Sequence, residues 1–243
     1  MSDVTTGHIV NRYDEELGGV RGLVLEMGEF VLEQIKSSVT ALATGNVTLA
    51  RQVIDRERRI DYLELDTDDA IFNLIAKRQP AAIDLRLILA LSKVVGFLER
   101  AGDKAGQIAW GVVRLMEREG QHPSSKILHH VRRLEEVASR MLERSLEALA
   151  TADVEIAVDV FADSKLVEDE FDAAMRHLVT FVLEDPALLG QVLDMVFALR
   201  ALERVGDNAG SIAEQVVFVA KGKDVRYQNR EILIDALRQR KQR

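Results

Sequence analysis

Two short runs carry acidic residues whose spacing could hold a cation: Glu99 and Asp103 in ERAGDKAGQIA, and Glu203 and Asp207 in ERVGDNAGSIA. In each run the acids lie four residues apart, which on a helix stacks them on one face with about 5–6 Å between Cβ atoms. Like charges so placed destabilise a helix by roughly 0.2–0.5 kcal/mol. A multivalent cation would offset that repulsion. The plainer alternative is a solvated acidic edge screened by Arg100, Lys104 and Arg204, but the pattern occurs twice, in equivalent places. Glu57, Asp61, Glu64 and Asp68 repeat the theme earlier in the chain, again on one helical face. If that face meets the one holding Glu99 and Asp103, four or more carboxylates converge. The corresponding later region offers Ser164, Glu168 and Asp172, with Asp163 and Asp169 beside them, opposite Glu203 and Asp207. That second set is less regular.

All-oxygen donor sets suit hard cations such as magnesium, manganese, calcium or oxidised iron, and disfavour tetrahedral zinc with nitrogen or sulfur ligands. The chain has no cysteine, which excludes a thiolate metal site, a disulfide frame and a cysteine nucleophile, and fits a reducing compartment. His129 and His130 are adjacent, while His8, His122 and His177 lack a partner at helical spacing, so ordinary surface histidines are expected. No phosphate-binding glycine loop, dinucleotide fingerprint, serine nucleophile elbow or H-E-x-x-H zinc motif is present. Gly18, Gly19 and Gly22 fall in a helical pattern, and Trp110, between core and edge, is expected to pack. A net charge of −8 argues against a nucleic-acid partner. The N-terminal run lacks a basic segment followed by an apolar one, and no apolar stretch reaches about 18 residues, so a cytoplasmic location is expected.

The elements that must position these acids are helices. Three prolines, few aromatics and abundant Ala, Leu, Val, Glu and Arg favour an all-α chain. Around each acidic pair runs a seam of small and apolar residues: Leu98, Gly102, Ala105, Ala109 and Val112, then Leu202, Gly206, Ala209, Ala213 and Val216. A Gly costs about 1 kcal/mol of helix propensity relative to Ala, tolerable where it lets a neighbouring helix approach.

After a loose leader to about residue 12, the spacing of Leu17, Val20, Val24, Met27 and Val31 predicts a long helix ending near Thr44-Gly45-Asn46. A second runs from Val47 to Lys77-Arg78-Gln79-Pro80, and a third from Ala81 to Arg118. Gly120, Pro123 and Ser124 mark the clearest boundary. A fourth helix spans Lys126 to Leu149, and Ala150-Thr151-Ala152-Asp153 then echoes Ala43-Thr44-Gly45-Asn46. The fifth helix breaks at Asp185-Pro186 and the sixth ends near Lys221. The expectation is six helices forming two tandem, sequence-related three-helix bundles, over residues 1–120 and 125–222, followed by a basic tail over 223–243.

The duplicated L-E-R-x-G-D-x-A-x-x-I-A, from Leu98 to Ala109 and from Leu202 to Ala213, carries a resemblance. So do Lys77-Arg78-Gln79-Pro80 followed by Asp84-Leu85-Arg86, and the closing Gly222-Lys223-Asp224-Val225-Arg226. Together they closely resemble the PhoU family of phosphate-signalling regulators over nearly the whole chain. The resemblance implies tandem three-helix bundles that bind multinuclear metal clusters through E(D)-x-x-x-D motifs. By position, the first site would use Glu57, Asp61, Glu99 and Asp103, and the second Glu168, Glu203 and Asp207. Ser164 stands where the first half has Glu57, so either Asp172 substitutes or the second site is weaker.

The implied cofactor is a divalent or trivalent metal held by carboxylates, whether iron, manganese, magnesium or zinc. The implied role is non-enzymatic: negative regulation of the phosphate-starvation response and of phosphate uptake. It would be exercised by a homodimer contacting the ATPase subunit of the phosphate ABC transporter and the membrane sensor histidine kinase. The alternative is a metal-dependent helical enzyme acting on phosphate compounds.

Overall fold

A computed structural model describes residues 4–119, 123 and 125–226. Its long helices are α1 (Val4–Thr44), α2 (Val47–Arg78), α3 (Ala82–Glu119), α4 (Ser125–Thr151), α5 (Val154–Glu184) and α6 (Leu189–Lys221), with a 3-10 turn, Pro186–Leu188, leading into α6. The helix expected from Tyr13 begins earlier, at Val4, so the expected leader is helical over 4–12. Of the basic tail, the segment beyond residue 226 lies outside the described residues. No described helix is long and apolar enough to cross a membrane.

The two halves reuse one turn. Asn46 caps α2 by accepting a hydrogen bond from the Leu49 amide at 2.9 Å, and Asp153 caps α5 by accepting from the amides of Glu155 and Ile156. Just before each cap the backbone turns left-handed, at Gly45 (φ 62°) and Ala152 (φ 53°). The following amides then reach back to Ala41 O and Ala148 O, both at 3.0 Å, which closes the preceding helix. The second half thus tolerates a Cβ in a conformation that favours glycine.

Packing follows the small-residue seams. Every seam residue from Leu98 to Val112 and from Leu202 to Val216 is buried. A Cβ on Gly102 of α3 would overlap Ile60 Cδ1 of α2, and a Cβ on Gly206 of α6 would lie 3.0 Å from Val167 Cγ2 of α5. Ile60 and Val167 occupy equivalent places, so the same close approach is made twice. The two three-helix units also pack on each other, α3 against α6 and α1 against α4, while α2 and α5 lie at opposite outer edges. Gly28 of α1 permits the second of these contacts: its Cβ would meet Leu146 Cδ1 of α4 at 2.6 Å. One continuous apolar core results.

Two substitutions with opposite signs check this packing. Ala152→Gly relieves the left-handed strain and raises stability by about 1 kcal/mol, or about 2–4 °C in Tm for a chain of this size. Gly102→Val overpacks Ile60, which is only 2 % exposed, and lowers stability by about 1–3 kcal/mol. Thermal melts of both variants read the signs directly.

Candidate metal centre

The first acidic cluster sits where α2 crosses α3. Glu57, on α2, lies so close to α3 that a Cβ on Gly106 would come within 2.8 Å of Glu57 Oε2. The missing side chain at Gly106 therefore gives the carboxylate its place. One turn earlier on α3, Asp103 faces the same acids, and Asp61, Glu64 and Glu99 complete the group. Their nearness shows in their titration. Burial, then the charges of Asp103 and Asp61, push the Glu57 carboxyl above the usual range. Burial and the charges of Asp103, Glu64 and Asp61 raise Glu99, partly offset by Arg100. Burial and the charges of Asp68, Asp61 and Asp103 raise Glu64, again against Arg100.

Among the described residues, none of Glu57, Asp61, Glu64, Glu99 and Asp103 stands in an ion pair. Two arginines of α2 near the cluster bond elsewhere: Arg56 bonds Glu33 at 2.8 Å, and Arg59 bonds Glu26 at 3.1 Å. Arg100 lies over the Phe97 ring, 4.8 Å from its centre, instead of reaching Asp103. The cluster is open: among the described residues no three His, Asp or Glu side chains stand close enough together to enclose a metal ion. Its donor chemistry, hard oxygens with uncompensated charge, fits a hard cation once side-chain rotation brings the carboxylates inward.

The second half places the corresponding acids differently. Glu168 and Asp172 are exposed on α5. Glu203 accepts a hydrogen bond from Arg200, three residues earlier on α6, and Asp207 accepts from Arg204 at 3.0 Å. Ser164, at the position of Glu57, is buried and turns its hydroxyl to donate to Val160 O of its own helix at 3.3 Å. Asp163 lies 3.9 Å from Arg140 and 3.7 Å from Arg144. Arginine thus answers Glu203, Asp207 and Asp163, while Glu168 and Asp172 stand exposed on α5, so the second set of acids meets a different charge environment from the first.

Two features of the site escape helical spacing alone. Glu64 shared a face with Glu57 and Asp61, but only the α2–α3 crossing shows that it feels Asp103. The difference between the halves did have a signal at one position: the motif alignment that pairs Glu99 with Glu203 puts Gly96 opposite Arg200, so the first half lacks a counterpart of the arginine that engages Glu203, though it keeps Arg100 opposite Arg204. His130 Nε2 and His177 Nδ1 also meet, at 2.7 Å, between α4 and α5. Helical periodicity cannot report a pair that sits on separate elements.

A carboxyl raised in the folded state binds protons more readily folded than unfolded. In the chelated protein, the stability that Glu57, Glu64 and Glu99 contribute when protonated is lost as pH rises from the usual carboxylate range through their raised values. Asp103→Asn removes a charge felt by all three. The Tm difference between this variant and the parent should grow in the variant's favour from about pH 4.5 to about pH 7. A constant difference across that range contradicts the shared cluster.

Comparison with known proteins agrees with the duplicated architecture. The family described as "PhoU domain" matches twice, over residues 24–111 and 131–216. A protein of Pseudomonas aeruginosa described as a phosphate-specific transport system accessory protein PhoU homolog is 39% identical over 225 residues, covering 93% of this chain and 92% of that one. The phosphate-specific transport system accessory protein PhoU of Escherichia coli is 33% identical, with 90% of each chain covered. The crystal structure of PhoU from Pseudomonas aeruginosa superposes with a TM-score of 0.81 at 37% identity, covering 87% of this chain and 100% of that one. A Streptococcus pneumoniae structure, the phosphate transport system regulatory protein PhoU, shares the fold with a TM-score of 0.79 at 22% identity, covering 88% of this chain and 99% of its own. Two domain matches in tandem and relatives aligned over nearly their full length make this chain a member of the PhoU family.

Proposed function

We propose that this chain is a negative regulator of the phosphate-starvation response and of phosphate uptake. It works in the cytoplasm as a homodimeric, non-enzymatic adaptor between the ATPase subunit of the phosphate ABC transporter and the membrane sensor histidine kinase. What carries the reading is kinship along the whole chain: relatives named as accessory proteins of the phosphate-specific transport system align over nine-tenths of it. The long helical faces suit an adaptor, which needs rigid surface more than a reaction pocket.

In this reading the first acidic cluster is a metal-dependent brace. Glu57, Asp61, Glu99 and Asp103, joined by Glu64, would hold a hard divalent or trivalent cation across the α2–α3 crossing. A bound cation would supply the charge neutralisation that the cluster lacks among the described residues. Gly106 gives Glu57 its place, and Arg100 tempers Glu64 and Glu99 from the rim.

Cells lacking this chain should show high alkaline phosphatase reporter activity in phosphate-replete medium, falling to the parental level when a copy is restored. Activity that stays low in cells with no second copy would break the link to phosphate signalling. The enzymatic alternative is tested separately. Purified chain loaded with manganese or magnesium should release no phosphate from phosphate esters, and turnover abolished by Glu99→Gln with Asp103→Asn, without loss of helicity, would establish catalysis instead.

A further inference from the structure

A groove of about 430 Å³ lies between α3 and α6, and no residue of the acidic cluster lines it. Lys104, Gln107, Trp110 and Arg114 line it from α3, and Phe197, Arg200, Ala201 and Arg204 from α6. Four cations thus share one concavity on a chain of net charge −8. Arg200 and Arg204 are partly answered by Glu203 and Asp207. Lys104 and Arg114 have no ion pair among the described residues. Between the cations stand two exposed rings, Trp110 at 46% and Phe197 at 66% of full exposure. A ring that packed only to fill the core would not leave half its surface open, so the expectation that Trp110 serves packing alone is incomplete.

The duplication lets the two halves be compared position by position. The alignment that pairs Gly102 with Gly206 places Asn208, Ser211 and Glu214 where the groove has Lys104, Gln107 and Trp110. It likewise places Gly96 opposite Arg200. The remaining groove positions, Arg114, Phe197, Ala201 and Arg204, fall opposite Phe218, Lys93, Phe97 and Arg100, so the equivalent set in the other half has two cations, two rings and an acid where the groove has four cations, two rings and no acid.

We propose that this groove binds a nucleoside polyphosphate, with the base stacked on Trp110 and the phosphates held by Lys104, Arg114 and Arg204. Charge complementarity selects a polyanion. The exposed rings select a planar group beside it, because stacking on an aromatic face needs only a π surface. Gln107, with two donors and an acceptor on one amide, can meet the edge of a base. The volume lies within the range of small-molecule sites, about 300–1,000 Å³. Arginines are suited to phosphate oxygens by their planar fork of donors, and Arg204 spends only one nitrogen on Asp207.

Trp110 is the only tryptophan of the chain, so its fluorescence reports this groove alone. The full-length protein is titrated with ATP in excess chelator, which keeps the acidic cluster free of metal, and the affinity is measured in parallel by calorimetry. Saturable quenching is expected. Lys104→Glu and Arg114→Glu should each weaken binding about tenfold or more. Trp110→Ala should weaken calorimetric binding about tenfold, with Trp110→Phe retaining most of it. Tripolyphosphate and adenosine should each bind more weakly than ATP. Absence of saturable binding by both methods would overturn the proposal. So would tripolyphosphate binding as tightly as ATP, which would mark a polyanion site only, or an aspartate-rich peptide binding there that ATP fails to displace, which would mark a protein partner.

Discussion

The structure depends on how closely α3 can approach α2. Gly102 lets the Ile60 side chain lie against the α3 backbone, and Gly106, one turn further, leaves room for the Glu57 carboxylate. The two positions act on different chemistry through the same missing side chain. At Gly102 the close approach increases dispersion contact in a core where one extra methyl group is felt. At Gly106 it brings a charged group to a half-buried place beside Asp103, where water screens poorly and the neighbouring negative charges raise the proton affinity of Glu57. Apolar packing is what holds the acids together, since their own interaction opposes it.

Duplication then allowed one scaffold to carry two electrostatic solutions. Gly206 and Val167 reproduce the contact of Gly102 and Ile60, so α5 meets α6 much as α2 meets α3. The acids on that frame have diverged. Ser164 gives up the position of Glu57 and satisfies its hydroxyl within its own helix, while Arg200 and Arg204 engage Glu203 and Asp207 along α6. At Glu203 and Asp207 the chain's own arginines meet charge that Glu99 and Asp103 leave without an ion pair among the described residues. Those same arginines form one wall of the groove beside Trp110.

Much of the fold was legible because periodicity and capping are local. The seam positions, the turns at Asn46 and Asp153, and the break at Asp185-Pro186 each depend on residues within a few positions of one another. The start of α1 was not, because its first turns lack the strong apolar steps that begin at Leu17. At the acidic site, shared helical faces identified Glu57, Asp61, Glu99 and Asp103 as candidates, but their convergence depends on the crossing of two helices. Periodicity within either helix is silent on that. The second-half acids follow from position in the repeat, which sets backbone placement and carries no information about which charges face them. Gly96 opposite Arg200 was the local clue that the two halves differ.

The most direct test of the asymmetry is anomalous diffraction at the manganese edge from crystals of the full chain grown with manganese. A peak is expected among Glu57, Asp61, Glu99 and Asp103, with none between Glu168 and Glu203. Equal peaks in both halves, or a peak in the second half alone, would contradict the asymmetry.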